Sequence, residues 1–192
     1  MDFFQGIDWG AYAAMRFKAN QMPGLASFMQ ILHLIGTWGW IPLLAAVAIP
    51  WRRGGELRRR AMVMFGVAIV GLACMEAVRW SADRRRPPDA EITLGPQTSK
   101  SFPNVPAFAF PLAGMVAVTA WGCARQKKQL LPFLAVGFVS CIFPTAELFL
   151  GLAFVSDVIT GMLGGVGFGL LARVLAERFA RTESNTAIAA LQ

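Results

Sequence analysis

Five apolar runs, separated by short basic or proline-containing connections, constrain this chain more than anything else in it. They fall at about 26–50, 60–79, 106–122, 130–147 and 154–175, each near the roughly twenty residues that the hydrocarbon core of a bilayer demands. The third and fourth are short, with prolines near their ends, which tilt or local thinning of the bilayer accommodates. In hydrocarbon a backbone must satisfy its own hydrogen bonds, so runs this long and apolar predict helices. The 192-residue chain is 56% apolar and only 15% charged, whereas about a quarter of a soluble domain is charged. A core of this size cannot bury that excess. The sequence therefore predicts one all-α integral-membrane domain of about five transmembrane helices spanning 1–192.

Residues 1–23 mix Phe3, Phe4, Ile7, Trp9, Tyr12, Ala13 and Met15 with Asp2, Asp8, Arg16 and Lys18. That mixture predicts an amphipathic helix lying at the membrane surface and preceding the first span. The first twenty residues carry acids and lack a compact apolar stretch, so no cleavable leader is expected. The end of the chain, 180–192, has small and polar residues and predicts a loose tail.

Orientation follows from the connecting loops. Arg52, Arg53, Arg58, Arg59 and Arg60 precede the second span, Arg125, Lys127 and Lys128 lie between the third and fourth, and Arg173, Arg178 and Arg181 close the last. With five spans all eleven fall on one side, against seven basic residues on the other. The positive-inside bias then places the N-terminus outside and the C-terminus in the cytoplasm of an inner-membrane protein. The net charge of +7 is spread in clusters between apolar runs and accompanies no recognition motif, which points to anionic lipid headgroups as partners and away from nucleic acid. Cys74, Cys123 and Cys141 sit in or beside apolar runs without metal or disulfide spacing, and read as membrane-core fillers. The tryptophans at 38, 40, 51, 80 and 121 fall near span ends, as interfacial anchors do. Glycines 161, 164, 165, 167 and 169 predict close packing of the last span.

The densest polar chemistry lies between the second and third runs, from Arg79 to Pro106. Arg79, six residues, then Arg86-Pro87 resembles K-x6-R-P, the first signature of the type 2 phosphatidic acid phosphatases, with arginine for lysine. Ser101-Phe102-Pro103-Asn104-Val105-Pro106 stands where the second signature, P-S-G-H, is expected. Ala146-Glu147, five residues, then Ala153 and three more to Asp157 keeps the register of the third, S-R-x5-H-x3-D. Order and spacing are kept over nearly the whole chain, and the resemblance implies that family's helical bundle.

It also implies a damaged site. The nucleophilic histidine of the third signature corresponds to Ala153, which can form no phosphoenzyme. The histidine that protonates the leaving group corresponds to Pro106, the serine and glycine before it to Asn104 and Val105, and the third-signature arginine to Glu147. Only Arg79, Arg86 and Asp157 keep their expected character; in the family the aspartate stacks one helical turn after the nucleophile. The expectation is a catalytically degenerate lipid-phosphatase-like protein whose phosphate pocket, formed by Arg79, Arg86, Asn104 and Glu147, is neutralised by pairing of Glu147 with the two arginines. Glu76, one turn before Arg79, is an alternative partner for it. Arg84 and Arg85 are expected to be solvated or to meet headgroups. The single histidine, His33, is expected as a buried, hydrogen-bonded side chain, and one histidine offers too few ligands for zinc or haem. No cofactor or metal is expected. The functions carried forward are lipid binding or regulation of a membrane partner through an outward-facing pocket, a surviving phosphatase with a rearranged site acting on an isoprenoid or glycerolipid phosphate, and a structural subunit of a membrane complex.

Overall fold

The computed structural model describes residues 2–45, 47, 48, 55–82, 84–87, 101–120 and 130–189. Six helices account for nearly all of them: α1 (Asp2–Gln21), α2 (Pro23–Ala45), α3 (Gly55–Ala82), α4 (Val105–Ala120), α5 (Leu130–Phe149) and α6 (Val155–Ala189). A helix stands at each of the five apolar runs, with α1 before them. α3 and the Val155–Phe179 part of α6 are long and apolar enough to cross a bilayer. Outward-facing Phe28, Ile31, Leu34, Ile35 and Trp38 on α2, Phe138 on α5 and Leu163 on α6 are each more than half exposed. A continuous apolar exterior of this kind needs hydrocarbon, not water, around it.

The shortest helix is the central one. α4 is buried along almost its whole length, from Ala107 to Ala120, and packs against α2, α3, α5 and α6. Its closest partner is α6, for a reason visible in the spacing of small residues. Gly161, Gly165 and Gly169 stand four apart, so they share one helix face. A Cβ at Gly161 would lie 2.6 Å from the Asn104 carbonyl oxygen, one at Gly165 2.2 Å from that of Phe108, and one at Gly169 2.8 Å from the Met115 sulfur. Ala172 and Ala176 continue the seam and join Met64, Ala68, Phe108, Leu112 and Val116 in the main apolar cluster. Backbones that approach this closely gain dispersion contacts that lipid cannot match. The aromatic pair Phe108–Phe168, with ring centroids 5.8 Å apart, fills the space beside Gly71 and Gly164. Gly167 faces open space, so four of the five glycines have the packing role expected of them.

Several bounds differ from the sequence expectation, α3 running over Gly55–Ala82 where 60–79 is expected, and two further differences bear on the site and the tail. The tail after 180 was expected to be loose, but the helical backbone of α6 continues through Ala189; nothing after Gly169 breaks a helix, since neither glycine nor proline recurs. Ala153 was expected within a helical turn shared with Asp157, but it precedes α6, in the short segment after α5. Gly151 creates that segment. Its φ of +69° ends α5 in a left-handed cap, with Leu152 N–H donating to the Glu147 carbonyl at 2.8 Å and Gly151 N–H to that of Leu148 at 3.1 Å. Trp38 and Trp80 are exposed as anchors would be, and Cys74 and Cys141 are exposed free thiols. Trp51, Trp121, Cys123 and the basic residues 52, 53, 125, 127 and 128 lie outside the described residues.

A Gly165→Val change should cost about 3 kcal/mol, because neither the Phe108 backbone nor the Pro111 ring can retreat from it. Gly167→Ala, on the open side of the same helix, should instead stabilise by up to about 1 kcal/mol. Thermal denaturation of the two variants in one detergent checks the contrast.

Candidate functional site

The functional candidates converge where the start of α4, the end of α5 and the start of α6 meet under α1. Asn104 ties the first three together. Its side-chain oxygen caps α4, accepting from Ala107 N–H at 2.9 Å, while its own N–H donates to the Asp157 carbonyl at 3.1 Å. Its amide nitrogen donates to the Glu147 carboxylate. Capping at Asn104 places Pro106 in the first turn of α4, where the missing N–H has no helical partner to lose.

Arg84 is the centre of the larger polar cluster. One guanidinium nitrogen donates to Asp157 Oδ1 and to Ser156 Oγ, each at 2.7 Å, and the other to Asp8 Oδ2, also at 2.7 Å. The group lies 4.5 Å over the Phe154 ring, which packs edge-on against Trp9 of α1 with centroids 5.5 Å apart. Both carboxylates are inaccessible, Asp8 at 1% and Asp157 at 0% exposure. Ser101 donates its hydroxyl to Asp157, and its N–H bonds the Arg84 carbonyl at 2.8 Å, which joins the two ends of the connection between α3 and α4. Asp8 also accepts from Ser156 N–H at 2.9 Å and from its hydroxyl at 2.6 Å. A carboxylate from α1 thus occupies the N-terminus of α6, a position whose free N–H groups and helix dipole attract an anion. Burial pushes the Asp8 carboxyl upward, but its bonds from Arg84 and Ser156 outweigh that and hold it below its ordinary value.

A second, smaller cluster surrounds Glu147, which is 2% exposed. Besides Asn104 it meets His33 of α2, whose Nδ1 lies 3.2 Å from Oε1. The separation is that of an ion pair, but the N–H is not aligned as a hydrogen-bond donor. Arg86 lies between the clusters. Burial lowers its basicity, Arg79 lowers it further, and the charges of Glu147 and Asp157 oppose both.

The expected pairing of Glu147 with Arg79 and Arg86 is not what forms. Arg86 donates to the Leu152 carbonyl at 3.3 Å and senses Glu147 only through its field, while Arg79 pairs with Glu76 at 3.1 Å. The reason is local: the cap at Gly151 turns the Leu152 carbonyl toward Arg86, whereas Glu147 faces α2 and Asn104. His33 is largely buried, as expected, but its Nδ1 beside Glu147 makes no hydrogen bond, contrary to the expectation. Ala153 is 4% exposed and packs with Ala107 and Val158, so apolar contact fills the position where the resemblance expects a nucleophile. Arg85 is exposed, but Arg84 is the hub of the site and not a solvated bystander.

Asp8 is the residue that sequence reasoning missed. A signal existed: Asp8, Tyr12, Met15 and Ala19 are spaced four, three and four apart, which puts Asp8 on the inward stripe of α1. Read by composition, it was only one polar residue of an amphipathic helix. Residues 88–100 of the Arg79–Pro106 stretch lie outside the described residues.

Arg84→Leu should cost about 3 kcal/mol, since it leaves two buried carboxylates facing each other without a cation. An Asp8→Asn, Arg84→Leu double variant should be less destabilised than the sum of the two single changes, which a double-mutant cycle by thermal denaturation would read. Because the Asp8 carboxyl is held below its ordinary 3.8, its contribution is complete above that value and is lost as pH falls through the lower folded one. The melting temperature of the parent should therefore drop steeply in that acid window, and that of Asp8→Asn less so.

No protein-family model matches the sequence, and no curated protein matches it. The fold is similar to the crystal structure of a transmembrane PAP2-type phosphatidylglycerolphosphate phosphatase from Bacillus subtilis, with a TM-score of 0.69 over 95% of this chain and 88% of that one, at 22% identity. At this identity the likeness is one of architecture, and the chain has the helical bundle of a transmembrane PAP2-type protein.

Proposed function

We propose that this chain is a non-catalytic, multi-pass inner-membrane protein of PAP2-like fold, whose former phosphate pocket is closed by its own ion pairs and which acts by binding membrane lipid or a membrane-protein partner. The observation that carries this reading is the set of charges gathered at the site. Two guanidiniums, Arg84 and Arg86, are surrounded by three carboxylates: Asp8, Asp157 and Glu147. Phosphoryl transfer needs cations matched to the charge that spreads over the phosphate oxygens. Arg79 is paired with Glu76, so the remaining balance is negative, and the best-placed cation is already engaged on both of its donating edges. Ala153 and Pro106 supply neither nucleophile nor acid, and loss of such groups ordinarily removes several powers of ten in rate. Under this reading the substrate of the similar phosphatase, phosphatidylglycerolphosphate, is not turned over by this protein.

One observation favours a second reading, a phosphatase with a rearranged site. His33 Nδ1 lies 3.2 Å from the Glu147 carboxylate; a small ring rotation that aligned its N–H would let the acid hold that nitrogen and leave the other to act as base or nucleophile. Arg86 lies within electrostatic reach of that carboxylate and would supply the cation.

Phosphate release from phosphatidylglycerolphosphate and from phosphatidic acid by the purified full chain separates the two readings. The non-catalytic one expects no release above the detergent blank. Turnover abolished in a His33→Ala variant that still folds would establish the rearranged site and overturn the primary reading.

A further inference from the structure

At the opposite end of the bundle from the Arg84 cluster, roughly 30 Å along α3 at 1.5 Å per residue, a cavity of about 220 Å³ opens between the first turns of α3 and the later part of α6. It is lined by Glu56, Arg59, Arg60, Met62, Val63, Ala176 and Phe179. The polar lining carries two guanidiniums and one carboxylate, so its formal charge is positive, the reverse of the balance at the other end.

The walls divide by chemistry. Arg60 is nine-tenths buried. One arm of its guanidinium pairs with Glu56, and its Nε is buried without a hydrogen-bond partner. A buried guanidinium N–H left without an acceptor is costly, more so than a neutral group in the same place. Below it, Met62, Val63, Ala176 and Phe179 form an apolar wall, with Phe179 itself 59% exposed at the lip and Met62 39% exposed. Cations over an adjoining apolar wall, at the end of helices that carry a hydrocarbon-facing exterior, match a molecule with anionic oxygens at one end and acyl carbon at the other.

We infer that this cavity is a binding site for an anionic phospholipid. Its phosphate diester oxygens accept from the Arg59 and Arg60 guanidiniums, and the start of its acyl chain lies along Met62, Val63 and Phe179. The planar fork of arginine suits phosphate oxygens better than a point charge would, and basic clusters at helix ends attract acidic headgroups over neutral ones. Glu56 tunes the site: it holds one arm of Arg60 and lowers the pull on an incoming anion. This inference is independent of what happens at the Arg84 cluster, since it uses none of those residues.

The test uses the full chain in a neutral detergent, with native mass spectrometry or equilibrium binding of phosphatidylglycerol, of phosphatidylcholine and of inorganic phosphate. Phosphatidylglycerol should be retained at least tenfold more tightly than phosphatidylcholine, and that preference should disappear in an Arg59→Gln, Arg60→Gln double variant. Glu56→Gln, which keeps both cations and frees the paired arm, should tighten phosphatidylglycerol binding several-fold and so serves as a check that does not depend on weakening the fold. Inorganic phosphate should bind poorly, lacking the acyl segment. Equal retention of the two lipids, or a phosphatidylglycerol preference unchanged in the double variant, would overturn the assignment. Tight binding of inorganic phosphate without lipid preference would show an anion site unrelated to lipid.

Discussion

The bond network of Arg84 is the constraint on which the rest of the polar interior depends. Its guanidinium sits between Asp8 of α1 and Asp157 of α6, at 2.7 Å from each, and both carboxylates are out of reach of solvent. A carboxylate so buried is tolerable only with a cation and further donors around it. Ser101 and Ser156 supply those donors, and in doing so they join α1, the α3–α4 connection and α6. Removing the arginine would leave two buried carboxylates, one on α1 and one on α6, without a cation. The same network holds α1 across the site, assisted by the packing of Trp9 and Tyr12 on Phe154.

Around this polar end the bundle is held by packing of an ordinary membrane kind. Glycine at every fourth position of α6 lets it approach α4 until backbone carbonyls take the place of side chains, and the buried alanines extend the seam toward the far end. The two modes of cohesion divide the molecule along its axis. Hydrogen bonds and ion pairs close one end, dispersion holds the middle, and a positively lined cavity lies at the other end.

The architecture is similar to that of a transmembrane phosphatase, and the charge arrangement at this end of the bundle bears on the proposed function. The N-terminus of α6 is a natural place for an anion, and here an internal anion, Asp8, fills it. This is why the proposed function rests on the filled site as much as on the missing imidazoles.

The hydrophobic pattern by itself placed a helix at each apolar run and pointed to apolar surroundings, and the described residues are almost all helical, because run length and apolar character are local properties. The family resemblance grouped Asn104, Glu147 and Asp157, and in the structure Asn104 bonds the Glu147 carboxylate and the Asp157 carbonyl. Which charges pair was decided only by the tertiary structure. Arg84 and Arg86 are two residues apart and chemically identical in sequence, and the choice between them depends on the direction in which the chain leaves α3 and on Asp8, a residue 76 positions away from Arg84. Glu147 likewise meets His33 of α2 and Asn104 at the start of α4, both far from it in sequence. Pair formation is a matter of ångströms between segments distant in sequence, and no periodicity along the chain records it.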